Sequence, residues 1–554
     1  MLAALRVPLH EELGELGAAA LVVETAQEDI VVLALDGLAV GGEIARDACC
    51  HRAVSVDRPR AVLGRPGTGL VALFEPVGDD RSAAFERVVA LVPRVVAVAG
   101  VIAEEPADRF LVVRSPGFDV GVEPLLKVGV IHSRKPTPRL DLMRALLVGS
   151  GGREHALAWK LAQAPSLTDL HAAPGSPGIA RLAECHPIRA EDPEGLLALA
   201  HSLDIDLVVI GPEAPLVGGV ADVLRPAGIA VFGPSAAAAA IEGSKAFAKD
   251  VLAAAGVPTA AQLAVARPPC VVKADGLAAG KGVHVCRSDA ELDDALKAVT
   301  ALGGSFIVEE LLEGPEVSLF AICDGSDAIA LVPAQDFKRA YEGDEGPNTG
   351  GMGSFAPIPG LGGDAAEELL ELVHRPVLAE LRQRGTPFVG LLFAGLMLTP
   401  DGPRVLEFNC RFGDPETQSV VPLLEGDLLE TLASAAAGAL AGASLETSPG
   451  TAVTVVLAAR TYPAGSDRGS TITGVEEAEA EGVLVFHAGT ALHGDRLVTN
   501  GGRILSVTGT GVSVAEARAA AYGGADLIAF EGARRREDIA LAAAEGETVS
   551  RHRS

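Results

Sequence analysis

The hydrophobic and polar positions of this 554-residue chain change rhythm at Met143. Downstream, short apolar runs alternate with amphipathic stretches. RALLVG (144–149), IDLVVIGPE (205–213) and IAVFGP (229–234) predict strands, while EHALAWKLAQ (154–163) and VADVLRPAG (220–228) predict helices. Strand–helix alternation of this kind specifies a doubly wound α/β unit of about 100 residues. GSKAFAKDVLAAAGVP (243–258) opens a second unit with a helix. CVVKADGLAAGKGVHVC (270–286) follows as strand, glycine loop, strand, and FIVEELLEGPEVSLFAICDG (306–325) as strand, turn, strand. Residues 390–416 predict a strand hairpin running into a polar loop. The tail, from about Thr451, carries strands at 452–460, 484–489 and 502–509 and a helix at 513–528, a small α+β cap.

Upstream of Met143 the pattern is valine-rich. AALVVE (19–24), DIVVLALDG (29–37) and 87–103 predict strands, and SAAFERVVALV (82–92) suits a helix. These 142 residues are expected either to form a small α/β domain or to be poorly ordered. IHSRKPTPRLDL (131–142), polar and with two prolines, reads as a linker. Met143 then looks like the natural start of a domain.

Composition narrows the function classes. Lys+Arg 45 against Asp+Glu 73 gives a net charge of −28, which argues against a general nucleic-acid or anionic-membrane binder. Lysine is scarce, with nine residues: Lys127, Lys135, Lys160, Lys245, Lys249, Lys273, Lys281, Lys297 and Lys338. A position that keeps lysine in such a chain is one where a compact ammonium matters. The seven cysteines are scattered without a CxxC pair, which favours reduced buried thiols in a cytoplasmic protein. His51 beside Cys49 and Cys50 is read as a structural or surface histidine. No run suits a membrane-spanning helix, and residues 1–10 make a poor signal peptide.

Five motifs carry candidate chemistry. In GSGGREH (149–155), glycines let backbone N–H groups approach a phosphate at a helix N-terminus, and Arg153 can add a bidentate contact. KADGLAAGKG (273–282) sets two lysines around a small-residue loop able to close over a triphosphate; it is no Walker A sequence. EELLEGPE (309–316) ends an apolar strand with acids suited to ribose hydroxyls. QDFKR (335–339) precedes GPNTGGMG (346–353). In EFNCRFGDPE (407–416), Glu407 and Asn409 share one face of an extended strand, which suits a hard divalent cation, and Arg411 follows them.

With these motifs in order, together with GPEAPLVGG, EGSKAFAKD and FHAGT, the chain from Met143 to about Ala540 resembles the phosphoribosylamine–glycine ligases (glycinamide ribonucleotide synthetases), an ATP-grasp family of purine synthesis. The resemblance implies an α/β protein with a doubly wound PreATP-grasp domain (143–243), a two-lobed α+β ATP-grasp domain (244–440, small lobe about 258–325) and a C-terminal α+β domain (441–554). An unassigned extension (1–130) and the linker precede them. It implies an ADP-forming ligase that joins glycine to 5-phosphoribosylamine through glycyl phosphate, with ATP and Mg²⁺ or Mn²⁺. The implied protein is a cytoplasmic monomer that engages neither nucleic acid nor membrane.

Residue by residue, the resemblance places Lys245 and Lys273 at the ATP phosphates, with Lys281, Gly280 and Gly282 on a lid. Glu309 and the backbone of Glu310 to Leu312 would lie by adenine and Glu316 by ribose. Glu407 and Asn409 would hold the metal, and Arg411, Asp414 and Lys273 would act in catalysis. Gly151, Gly152, Arg153, Glu154, His155, Pro212, Glu213, Asn348, Thr349, Gly350 and Gly351 would shape the glycine and sugar-phosphate sites. The chain departs from the family in three ways. Its segments between Val257 and Val271 and before FIVEE are short, Phe337 stands where other members can carry histidine, and residues 1–142 have no counterpart. The competing readings are another ATP-grasp carboxylate–amine ligase and a nicotinamide-dependent oxidoreductase built on the Gly149–Gly152 loop. The missing ribose acid speaks against the latter. For residues 1–142 a partner-binding or regulatory module is the remaining expectation.

Overall fold

In the computed structural model the chain divides into two units, Met1–Leu140 and Asp141–Ser554. The structure describes five strands of the first unit, and residues 142–548 of the second apart from 277–281, 303–304 and 441–442. In the first unit Ala4–Arg6, Ala19–Glu24 and Ile30–Leu35 form an antiparallel sheet, and Leu111–Val113 pairs with Leu126–Val128. Two of the valine-rich runs are therefore strands. The helix expected at 82–92, the run at 87–103, Cys49–His51 and the linker up to 141 lie outside the described residues.

The second unit opens with a five-stranded parallel sheet in the order Ala230–Phe232, Leu207–Ile210, Met143–Gly149, Leu167–Pro174, Glu184–Cys185. Leu146, Val148, Val208 and Ile210 enter one hydrophobic cluster, while their neighbours Ala145, Leu147, Leu207 and Val209 enter another. Alternate residues of each strand are thus buried on opposite faces, as a doubly wound sheet requires.

Ser244 Oγ accepts from Phe247 N–H and starts the Lys245–Ala255 helix; Gly256, at φ +68°, ends it. Ala248, Val251 and Leu252 form the helix's buried stripe. The small lobe is an antiparallel sheet, Val283–Cys286, Cys270–Ala274, Phe306–Glu310, covered by the Asp289–Ala301 helix. Its core, which includes Cys270, Val272, Cys286, Leu292 and Val299, is a cluster of its own. The large lobe is a second antiparallel sheet, Ala328–Ala330, Glu316–Asp324, Val389–Thr399, Gly402–Asn409. FIVEE and EVSLFAICD, close in sequence, therefore belong to different sheets, and Leu311–Pro315 bridges the lobes.

The C-terminal sheet runs Gln335–Asp336, Gly353–Ala356, Thr451–Ala458, Arg503–Gly511, Leu484–His487. Its first two strands come from within 244–440, so the GPNTGGMG loop hangs from the C-terminal sheet. A further sheet, Asp467–Thr471, Arg496–Gly501, Thr490–His493, is an addition to the strands expected from the pattern. Cys270, Cys286, Cys323 and Cys410 are buried free thiols, and Cys185 is half-buried. No helix among the described residues is long and apolar enough to cross a membrane.

Candidate active site

Four of the nine lysines, Lys245, Lys249, Lys273 and Lys338, lie where the two lobes meet. Glu309, buried at 1% exposure, receives Lys249 at 2.6 Å and Lys273 at 2.7 Å. Lys273 Nζ also donates to Leu406 O at 2.8 Å, which sets it beside the strand carrying Glu407. Lys245, at the start of its helix, donates to Glu407 Oε2 at 3.0 Å. Lys245, with Lys338 and Lys273 behind it, holds the Glu407 carboxyl well below the usual carboxylate range against the cost of burial. Burial alone would lower the Lys245 ammonium, but Glu407 outweighs it. Lys338 pairs with Glu316 at 2.5 Å. Asp336, next to it, is pushed up to about 8 by burial, reinforced by Glu416, Glu316 and Glu407. Phe337 packs on Phe355 and lies under the Arg536 guanidinium, a packing role consistent with its giving no acid–base group.

Asn409 Oδ1 accepts from Arg411 Nη2 at 3.2 Å, so the strand end passes directly into an arginine-rich loop. Arg411 Nε lies 3.4 Å and Arg153 Nη1 3.8 Å from the Glu213 carboxylate. Both guanidiniums also donate to Phe412 O. Burial would raise the Glu213 carboxyl, but Arg411 and Arg153 outweigh it and hold it below its ordinary value. Asp414 Oδ2 accepts from Arg503 Nη2 at 2.7 Å, and Arg503 Nη1 donates to Asp414 O and Gly350 O. Gly350 N donates to Tyr462 Oη. Arg503 and Tyr462, both in the C-terminal part, thus join the 348–351 loop to the Asp414 loop. Gly351, at φ +105°, is tied by the close approach of Pro415: a Cβ there would lie 2.3 Å from Pro415 Cδ. Thr349 is buried, donating to Lys338 O and accepting from Gly351 N–H. Asn348 Nδ2 donates to Val283 O and so reaches the Val283–Cys286 strand of the small lobe.

The Gly149–His155 loop has a different internal logic from the one its glycines suggest. Glu154 Oε2 accepts from Gly151 N–H at 2.7 Å and Oε1 from Arg153 Nε at 2.6 Å. A Cβ on Gly149 or Gly211 would fall within 2.5 Å of Glu154 side-chain atoms. These glycines make room for Glu154, which in turn aims Arg153. Gly152 packs against Gln418, close to Asp414. Pro212 precedes the helix that begins at Glu213. His155 is buried between Phe486 and His487, and its Nδ1 accepts from His487 N–H at 2.8 Å.

The sequence-predicted residues therefore gather in two adjoining clusters, Lys245–Lys273–Glu407–Asn409 and Arg153–Glu213–Arg411–Asp414. The Glu309 carboxylate is occupied by two lysines. Glu310 accepts from Ala261 N–H, and Leu312 is half-buried in the bridge between lobes. Gly282 O accepts from Ala274 N–H, whereas Gly280 and Lys281 lie outside the described residues. Motif chemistry does not single out Lys249, Arg503 or Tyr462. Lysine scarcity flags the first; nothing local marks the other two.

Comparison with known proteins bears on the whole second unit. Three models of phosphoribosylglycinamide synthetase match: the N domain at residues 143–242, the ATP-grasp (A) domain at 243–417 and the C domain at 452–542. The phosphoribosylamine–glycine ligase of Streptomyces coelicolor is 51% identical over 418 residues, covering 73% of this chain and 100% of the relative. That of Mycobacterium bovis is 49% identical over 425 residues, covering 73% and 99%. The crystal structure of phosphoribosylamine–glycine ligase from Thermotoga maritima superposes with a TM-score of 0.62 at 35% identity, over 72% of this chain and 100% of that one. The biotin carboxylase domain of Hydrogenobacter thermophilus 2-oxoglutarate carboxylase, with a TM-score of 0.54 at 17% identity over 74% of this chain and 97% of that one, shares the fold. These matches support the ligase reading and not the nicotinamide-dependent one; residues 1–142 lie outside all three matched segments. The chain belongs to the phosphoribosylglycinamide synthetase family, the phosphoribosylamine–glycine ligases.

Proposed function

We propose that this chain joins glycine to 5-phosphoribosylamine with ATP, giving glycinamide ribonucleotide, ADP and phosphate in purine synthesis, as a monomer in the cytoplasm. The observation that carries this reading is the direct junction of the lysine–Glu407 cluster with the arginine cluster through Asn409 and Arg411. One side suits a triphosphate, the other the anionic groups of a small carboxylate and a sugar phosphate.

In the first step an oxygen of the glycine carboxylate attacks the γ-phosphorus, the bond to the ADP oxygen breaks, and glycyl phosphate forms. In the second the sugar amine attacks the glycyl carbonyl carbon, the carbon–oxygen bond to phosphate breaks, and the amine gives up a proton. Lys245 and Lys273 bind and orient phosphate oxygens; Arg411, held against Glu213 and Asn409, meets charge developing on the transferred group. Glu407 is ionised and Asn409 offers an amide oxygen two residues on. This pair of hard oxygen donors fits Mg²⁺ or Mn²⁺ and would hold it. The cation supplies neutralisation of phosphate charge when bound. Water exclusion falls to the small lobe and its 275–282 loop, because an acyl phosphate hydrolyses readily.

The test is ADP release with ATP, Mg²⁺, glycine and freshly generated phosphoribosylamine, omitting each in turn. Full dependence on all four is expected. Turnover without the sugar amine, or equal turnover with other amino acids, would sink the reading. Glu407→Gln should lower kcat by roughly a hundredfold or more and raise the Mg²⁺ requirement. An unchanged rate at limiting Mg²⁺ refutes the metal role of Glu407.

A further inference from the structure

On the outer edge of the parallel sheet three potential metal ligands converge. His171 lies in the Leu167–Pro174 strand, and Glu184 is its register partner in the two-residue edge strand. His186 follows two residues later and its N–H donates to Ala172 O, so all three side chains are set by neighbouring positions of one sheet edge. His171 Nδ1 is 3.1 Å from His186 Nε2 and 3.8 Å from Glu184 Oε2, and the three donor atoms lie within 4.8 Å of one another. Asp169 and Arg144, an ion pair at 3.5 Å, flank the cluster.

The spacing has a chemical meaning. With zinc–nitrogen bonds of roughly 2.0–2.1 Å, two ligands of a tetrahedron stand about 3.3 Å apart. The two imidazole nitrogens are already near that edge length. The Glu184 carboxylate, on a side chain 70% exposed and 3.8 Å from His171 Nδ1, supplies the third donor. His171 is buried at 8% exposure, and its desolvation, with His186 beside it, favours the neutral ring that a metal requires.

We propose that His171 Nδ1, His186 Nε2 and the Glu184 carboxylate form a site for a divalent transition cation of the zinc class, with the fourth position open to solvent. Two imidazoles and one carboxylate favour such a cation over Mg²⁺. The cation staples the short edge strand to its neighbour. It also ties together the two ends of the loop at 175–183, and that loop is a bridge to the C-terminal part. Arg181 there makes a bidentate pair with Glu479 at 2.7 and 2.8 Å, and Gly178 abuts His155 and His487. The site is distinct from Glu407 and Asn409 and takes no part in the ligation.

The experiment uses the full chain without a histidine tag, stripped with EDTA and held in excess Mg²⁺. Zn²⁺ is titrated against a chromophoric chelator, Co²⁺ is followed by visible absorption, and thermal unfolding is recorded with and without Zn²⁺. One Zn²⁺ per chain, an intense four-coordinate Co²⁺ band and a Zn²⁺-dependent rise in Tm are expected. His186→Gln should weaken Zn²⁺ binding by roughly tenfold or more, remove the Co²⁺ band and abolish the Tm response. Absence of Zn²⁺ binding by the wild type, or unchanged affinity in His186→Gln, overturns the proposal and leaves a neutral imidazole pair only. If His186→Gln fails to fold, the exposed Glu184→Gln takes its place under the same criterion.

Discussion

Of the four buried histidines among the described residues, His155, His374 and His487 are pushed furthest below the ordinary imidazole range. His155 is pushed down to about 3 by burial, with His487 and Arg181 adding. His487 is held at about 4 by burial and Arg181, and His374 at about 4 by burial, against its hydrogen bond with Leu392 O. In the unfolded chain each titrates near 6.5, so below that pH the unfolded state binds more protons than the native one. Stability is therefore full above about pH 6.5 and falls as pH drops toward the folded values. The loss is on the order of 1 kcal/mol per histidine at about pH 5.5. Thermal unfolding from about pH 7.5 to about 5.5 should show a falling Tm, and His374→Asn should flatten that slope; a flat wild-type profile contradicts this. At this scale a dense motif is legible in the sequence. Glu407, Asn409 and Arg411 follow one another within a single motif, whereas only the family resemblance, and not spacing, puts Lys245 and Lys273 beside them. His155 sits inside a motif but packs between domains, because His487, whose N–H it accepts, is 332 residues away. Arg503 is illegible for the same reason: its carboxylate partner is 89 residues distant.

Strand identity can be read from apolar runs, and sheet membership cannot. FIVEE and EVSLFAICD are both apolar enough for strands, but nothing in either says that one pairs with Cys270–Ala274 and the other with Val389–Thr399. The element between them has an exacting geometry. Gly314 has φ +151°, and a Cβ there would lie 2.2 Å from Leu398 O, a backbone atom that cannot yield cheaply. Gly314→Ala should destabilise the protein by about 2 kcal/mol or more and raise KM for ATP, since the bridge sets the angle between lobes. Denaturant unfolding and steady-state kinetics check both; a variant with wild-type midpoint and KM removes the hinge role. Gly256, by contrast, has open space around its Cβ position, so its αL conformation alone explains the residue.

Across the whole second unit, one arginine holds the domains to a common site. Arg503 spans Asp414, Gly350 and Gly351 from the C-terminal sheet, and that sheet itself contains strands from the middle of the chain. Arg503→Met should lower kcat roughly tenfold or more through misplaced loops while KM for ATP changes little. A raised KM for ATP would instead place the fault at the nucleotide site, and a wild-type unfolding midpoint separates the expected result from a simple loss of folded enzyme. The net charge of −28 coexists with a local concentration of lysine, because four of the seven lysines that follow Met143 (Lys245, Lys249, Lys273 and Lys338) sit around Glu309, Glu316 and Glu407. The small lobe, finally, has a core that shares no residue with the clusters of the rest. A body with so little interior of its own opens at less free energy than the whole protein. Its amide hydrogens, those of Cys270–Ala274 included, should exchange with solvent before those of Val389–Thr399, and ATP should slow them selectively. Under the proposed function, the small lobe would then owe much of its order to the nucleotide it binds.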